Sequence, residues 1–188
     1  MLSFKIGNTT VHLWPLIVVF SIAIVGAVIH AILLFNRNKK MVELCRTGEY
    51  SGSIALAQKQ LNHYRNTLKN KNTKSAMEMI YLHLAISNLG LSNDEEFIHN
   101  ITQVADDNTE KHFWLSLFYL LKNDSANFQK HYDVLSMRNA NANYLSYLLS
   151  IKQLQEHDDS DARVVLSTLK SKLNFKLLQD ISQKIVEH

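Results

Sequence analysis

From Val11 to Phe35 the chain runs for 25 residues without an Asp, Glu, Lys or Arg. At about 1.5 Å per residue, a helix of that length crosses a hydrocarbon core about 30 Å thick. A secretory signal carries only about 7–15 apolar residues before a small-residue cleavage site. Val25-Gly26-Ala27 has the form of such a site, but Val28, Ile29, Ala31, Ile32, Leu33, Leu34 and Phe35 prolong the apolar run past it. A buried core helix would be shorter and would carry a polar stripe, whereas only His12, Ser21 and His30 interrupt this one. The reading is a retained transmembrane helix over 11–35, preceded by a short N-terminal segment, 1–10.

Lys5 is the one basic side chain before the span, and Arg37, Lys39, Lys40 and Arg46 follow it. This asymmetry marks a cytoplasmic C-terminal flank: 1–10 is expected outside, 36–40 is a basic juxtamembrane segment, and the remainder faces the cytoplasm at the cell membrane. Trp14 suits the headgroup layer at the outer edge, and Pro15 suits a first helical turn, where its missing N–H has no intrahelical partner to lose. Trp14, Arg37, Lys39 and Lys40 are therefore the expected membrane-interface residues. Ala23, Ala27 and Ala31 recur every fourth residue beside Gly26, a face on which a second transmembrane helix can pack, although small residues are common in such helices without that role. His30 is ionisable within the span, but only five residues before Phe35 it is read as a neutral imidazole near the interface. Cys45 is the only cysteine, so no internal disulfide can form, in keeping with a reducing compartment.

Residues 41–188 suffice for one domain with its own core. The single proline lies at position 15 and glycines number five, which leaves long stretches free to be helical. Apolar residues recur at three and four across Ser75–Leu89, 109–122 and 140–154, and these predicted helices are apolar over much of their circumference. Short polar connectors follow (Gly90–Asn93, Asn123–Asn127, Glu156–Asp161), then more amphipathic helices at Asp94–Ala105, Phe128–Met137 and Ala162–Leu173. Each pair places a leucine directly before a small residue in its first helix: Leu84-Ala85, Leu115-Ser116 and Leu149-Ser150. Each then presents bulky groups on one face of its second, such as Phe97, Ile101 and Val104, or Phe128, Tyr132 and Leu135. The small residue lets two helices approach closely.

In these features the chain resembles the tetratricopeptide repeat family, whose unit is a helix pair of about 34 residues. Gly48-Glu49-Tyr50, followed by Ile54, Leu56, Ala57 and Leu61, is similar to that family's turn into its second helix, and Ala85, Ser116 and Ser150 stand 31 and 34 residues apart. The resemblance covers roughly 41–173. It implies a TPR-like array of antiparallel helix hairpins; with the apolar run before it, and with 174–187 read from Phe175, Leu177, Leu178, Ile181, Ile185 and Val186 as a terminal capping helix, the expected fold is all-α, an N-terminal transmembrane helix followed by that array. It also implies a groove lined by exposed members of 76–88, 109–122 and 140–154, where a partner's peptide or helix would lie.

Charge is uneven along the chain. Residues 1–74 hold ten Lys or Arg against two acids, whereas 75–161 hold five against thirteen. Arg65, Lys69, Lys71 and Lys74 either lie against anionic headgroups or form an ordinary solvated loop over Asn66–Ser75. Nucleic acid is not expected as a partner, because the middle of the domain is acidic and no recognition motif is present. Catalysis is not expected either: there is no phosphate loop, nucleophile elbow or His-Glu-x-x-His pair. No cofactor or metal is expected, since the nine histidines are scattered and Asp158, Asp159 and Asp161 lack the glycine and glutamate of a calcium loop. These aspartates, and Asp94, Glu95 and Glu96, read as turn residues and helix N-terminal charges. The expected function is a membrane-anchored adaptor or accessory subunit that binds another protein. The alternatives are a self-associating structural subunit, in which homo-oligomers form, or an extracytoplasmic chaperone if the topology is reversed.

Overall fold

The computed structural model describes residues 3–6, 9–12, 14–66, 71–138, 140–157, 159–170 and 172–187. The chain divides into two compact units, Met1–Lys39 and Lys40–His188. In the first, β1 (Ser3–Ile6) and β2 (Thr9–His12) form an antiparallel hairpin in which Phe4 pairs with Val11 and Ile6 with Thr9. α1 (Trp14–Thr47) begins after it. The sequence reading placed Val11 and His12 inside the transmembrane helix; they belong to β2, and the helix starts three residues later, at Trp14. Pro15 lies in its first turn. The fold is otherwise all-α.

α1 is long and apolar enough to cross a membrane, and its side chains between Ile17 and Leu33 are exposed, Phe20 and Ile22 each at 67%. Such a surface is not that of a core helix in a soluble domain, which would be covered. Ser21 donates its hydroxyl to the Ile17 carbonyl at 2.8 Å, so this polar group in the apolar stretch is satisfied within the helix.

The second unit contains the last turns of α1 and eight more helices among the described residues: α2 (Tyr50–Arg65), α3 (Lys71–Gly90), α4 (Asp94–Ile101), α5 (Thr109–Leu121), α6 (Ser125–Met137), α7 (Ala142–His157), α8 (Ser160–Lys170) and α9 (Lys176–Glu187). α3 packs on α2 and α4, α5 on α6 and α7, and α7 on α8; the buried apolar residues form a smaller cluster of Met41, Ala57, Leu61, Ile80 and Leu84 and a larger one that runs from Cys45 through α3–α8 to Leu178. The small residues expected at close helix approaches are all buried: Ala85 and Ser116 at 0% exposure and Ser150 at 3%. Both serines donate to the carbonyl one turn back at 2.8 Å, which lets a hydroxyl sit in the core without an orphaned donor. Leu149 departs from the pattern. It is 40% exposed, and its neighbour Leu148 is the residue turned into the core.

One turn recurs three times. One or two residues past the end of each first helix a residue is left-handed (Gly48 at φ +89°, Ser92 at +59°, Asn123 at +57°), and the amide of the next residue closes back on the carbonyl five positions earlier, at 2.9 Å in all three cases. This is the Schellman closure. In α4 and α6 that next residue also caps the following helix: Asn93 accepts from the Glu96 amide and Asp124 from the Asn127 amide. Each cap contributes about 1 kcal/mol. Because Asp124 caps at once, α6 starts at Ser125, three residues before the expected Phe128. In the fourth hairpin Asp159 accepts from the Asp161 and Ala162 amides, and Asp158 lies outside the described residues.

Two further expectations are corrected. The loop expected over Asn66–Ser75 is shorter, because α3 begins at Lys71: no proline or glycine interrupts Lys71–Ala76, and Thr73 is buried. Lys74 there pairs with Glu78 one turn on, while Lys69 lies outside the described residues. α4 stops at Ile101 instead of reaching Ala105, since the amides of Gln103 and Val104 bond three residues back and tighten the chain into a turn.

Candidate functional site

In a hairpin array the natural partner surface is the face formed by the first helix of each pair, here α3, α5 and α7 with the end of α1. Little of that face is open. α3 is buried from Leu82 to Leu89, α5 from Lys111 to Phe118, and α7 at Tyr147, Leu148, Ser150 and Ile151. Part of the face expected over 76–88, 109–122 and 140–154 is occupied by the chain's own residues 173–187. Phe175 stands edge-on to Trp114 with centroids 5.2 Å apart, and the Arg46 guanidinium lies over the Phe175 ring at 5.6 Å. The Tyr147 hydroxyl donates to the Leu178 carbonyl at 2.9 Å, and the Lys176 stem lies against Gly48. Leu177 and Leu178 join the same apolar core as Leu89, Phe118 and Tyr147.

Two open clefts border parts of this covering segment. One, about 330 Å³, is bordered by Val42, Arg46, His83, Tyr144, Lys172 and Phe175. The other, about 270 Å³, lies among Leu89, Phe118, Leu121, Leu177, Ile181 and Ile185. A third, open groove of about 670 Å³ runs between α2, α3 and α4, with Ile54, Leu61, Tyr81 and Leu84 apolar and Asn88 and Asn100 polar. Both asparagines are held by their own helix, Asn88 donating to the Leu84 carbonyl and Asn100 to that of Glu96.

Cys45 is fully buried, and burial raises its thiol to about 11, so the thiolate that would act as a nucleophile is scarce at neutral pH. Its S–H points to the His83 carbonyl at 3.8 Å. Lys111 is buried but satisfied, donating to the Val104 carbonyl at 2.7 Å and to Asp106 at 2.6 Å. Two histidines that the sequence left unrelated meet across α5 and α6. A carbonyl only accepts, so His112 donates through Nε2 to Asp106 at 2.8 Å. Its Nδ1 then accepts from Nδ1–H of His131 at 3.0 Å when both rings are neutral. Among the described residues no three His, Cys, Asp or Glu side chains converge as a metal-binding set.

That histidine pair has a measurable consequence. Burial, followed by the charges of His112, Lys130 and Lys111, lowers His131 to about 4, and burial followed by Arg46 also lowers His83. The unfolded chain binds these protons near pH 6.5, before the folded one does. Stability is thus fully present above about pH 6.5 and falls as pH drops toward about 4. Urea unfolding midpoints should decline across that interval, and His131→Gln should flatten the decline. A midpoint independent of pH between 7 and 4.5 in the parent protein would contradict this.

The residues expected at the membrane all lie on α1. Trp14 is its first residue and is 63% exposed, and Arg37, Lys39 and Lys40 are exposed near the other end. The 24 residues from Trp14 to Arg37 span about 35 Å of helix axis. Ala23, Ala27 and Ala31 share one exposed face, and the space beside Gly26 is open. Comparison with known proteins found no matching family model, no matching curated protein and no matching solved structure.

Proposed function

We propose that this chain is a single-span membrane protein whose helical domain binds another protein in the cytoplasm beside the bilayer, as an adaptor or accessory subunit. The observation that carries the reading is α1, an exposed, uncharged apolar helix followed by a cationic stretch. The array of helix hairpins supports a binding role, since stacked helix pairs present extended surface and require no reaction chemistry. We read the hairpins as tetratricopeptide-like on the strength of the buried small residues and the recurring turn. Tethering confines the domain to a thin layer and raises its effective concentration toward other membrane-bound proteins.

A second reading, a self-associating subunit, draws on the exposed alanine face of α1. Particle mass in mild detergent separates the two. One copy in a particle with a different protein supports the adaptor, and a discrete homo-oligomer supports self-association.

Topology is read most directly with a new thiol. Met137 is 82% exposed, whereas Cys45 is buried and poorly ionised, so Met137→Cys adds one reactive cysteine over a silent background. In intact cells a membrane-impermeant maleimide should leave this variant unlabelled, and labelling should be complete once the membrane is opened. Labelling of intact cells would place the domain outside.

A further inference from the structure

We propose that the cleft bordered by the end of α1, by α3, α5 and α7 and by residues 172–175 binds a small acidic amino acid, a ligand with two carboxylates and one ammonium group. Such binding is independent of the adaptor role proposed above.

The charged side chains that line the cleft are Arg46 from α1, Lys172 from the segment before α9 and Glu110 from the first turn of α5. Among the described residues Glu110 forms an ion pair with neither cation, and none of these three side chains has a hydrogen-bond partner. Opposite charges that share a cleft without meeting leave room between them for a ligand that carries both signs. A plain anion would face Glu110, and a plain cation would face Arg46 and Lys172. Two cations against one acid match two carboxylates and one ammonium.

The groups that would hold the ligand are fixed by the core beneath them. Arg46 lies over the buried Phe175 ring, 5.6 Å from its centroid, and Phe175 is itself edge-on to Trp114. Stacking uses the face of the guanidinium and leaves its planar edge of N–H donors for a bidentate carboxylate. His83 lines the cleft from α3 and is 7% exposed. Its Nδ1 lies 2.8 Å from the Met79 carbonyl, so Nδ1 carries the proton and Nε2 is left as an acceptor for an ammonium. Burial holds that ring neutral near neutral pH. Tyr144, stacked on Phe113 at 4.3 Å between centroids, adds a hydroxyl donor. Burial and then Glu110 push this hydroxyl up while Arg46 acts against them, so the fields of both charges reach it. The cleft, about 330 Å³, is at the small end of the range for ligand sites, about 300–1,000 Å³, and suits a single amino acid better than a folded segment.

Equilibrium dialysis of the full chain in mild detergent against radiolabelled L-glutamate and L-aspartate tests this. At least one of the two should bind saturably, one molecule per chain, with a Kd below about 1 mM. Glutarate and succinate, which keep the two carbon skeletons without the ammonium, and inorganic phosphate should each compete at least about 10-fold more weakly than the amino acid, because none of them brings an ammonium to Glu110. Glu110→Gln should remove this preference, bringing the amino acid and its dicarboxylate within about 3-fold of each other. Arg46→Gln should weaken binding at least about 10-fold, whereas Lys59→Gln, at an exposed position outside the cleft, should leave it unchanged. Glu110 is exposed and its side chain bonds to no described residue, so Glu110→Gln keeps the test decisive if Arg46→Gln does not fold. Saturable binding of neither amino acid, equal competition by the dicarboxylates or phosphate in the parent, or an unchanged preference in Glu110→Gln would overturn the proposal.

Discussion

Replacing Trp114 with alanine should destabilise the domain by about 3–5 kcal/mol, the range for removing a fully buried aromatic side chain. Trp114 is 1% exposed and sits edge-on between Phe113 and Phe175, so it joins the hairpin core to the segment that covers it. The indole leaves a void that its neighbours fill only in part, because Phe113 is itself fixed by stacking on Tyr144. Against a domain stability of about 5–15 kcal/mol, such a loss removes a large share of the total. Urea unfolding followed by far-ultraviolet circular dichroism should show a lower midpoint with an unchanged slope. Leu149→Ala is the matched control: that leucine is 40% exposed, and its loss should change stability by less than about 0.5 kcal/mol. A Trp114→Ala effect below about 1 kcal/mol would mean that the ring is not packed as described.

Leu149 also shows how far the fold is legible in the sequence. Apolar recurrence at three and four places the helices of the three later hairpins, since that spacing repeats along one side of a 3.6-residue turn. Where a helix is apolar over most of its circumference, the same spacing leaves the rotation open, and neighbouring residues differ by about 100°. Leu148, Leu149 and Ser150 are such a case, and contacts with α8 and α5 decide that Leu148 faces inward. The turns carry a more regular repeat than the helices, but its left-handed position is Gly48 once, Ser92 once and Asn123 once. Glycine and asparagine are the usual occupants and serine is not, so the repeat is hidden in the letters. The N-terminal hairpin had a signal in Gly7-Asn8, a dipeptide of the two-residue turn class. The apolar run starting at Val11 obscured it.

The candidate site was less legible, for a physical reason. The amphipathic pattern of 174–187 shows that its apolar side must be covered but carries no information on which surface covers it. The contacts that settle this, Phe175 with Trp114 and Leu178 with Tyr147, join residues 61 and 31 positions apart. Likewise His112 and His131, 19 residues apart on separate helices, meet only because the turn at Asn123 and Asp124 folds α6 back along α5. Local rules specify the helices and their caps; the filling of the inner face is set by tertiary packing.

Removing the cationic border should scramble the proposed orientation of the anchor. Arg37, Lys39 and Lys40 are exposed on α1, and none forms an ion pair among the described residues, so their substitution breaks no bridge that holds the fold. Each basic group beside an anionic cytoplasmic leaflet contributes about 1 kcal/mol, so the three together bias the orientation by about 3 kcal/mol, more than a hundredfold in the ratio of the two topologies. In the variant Arg37→Asn/Lys39→Asn/Lys40→Asn the nearest remaining Lys or Arg on that side is Arg46, balanced by Lys5 on the other. The bias then falls close to zero, because orientation follows the difference in Lys and Arg between the two flanks. With Met137→Cys as reporter, the fraction labelled by an impermeant maleimide in intact cells should rise from near zero to about half. The domain's circular dichroism and urea midpoint should not change, since the substituted side chains are exposed. If labelling stays near zero, the cationic stretch does not orient the helix, and the domain is held in place by its own folding or by its partner.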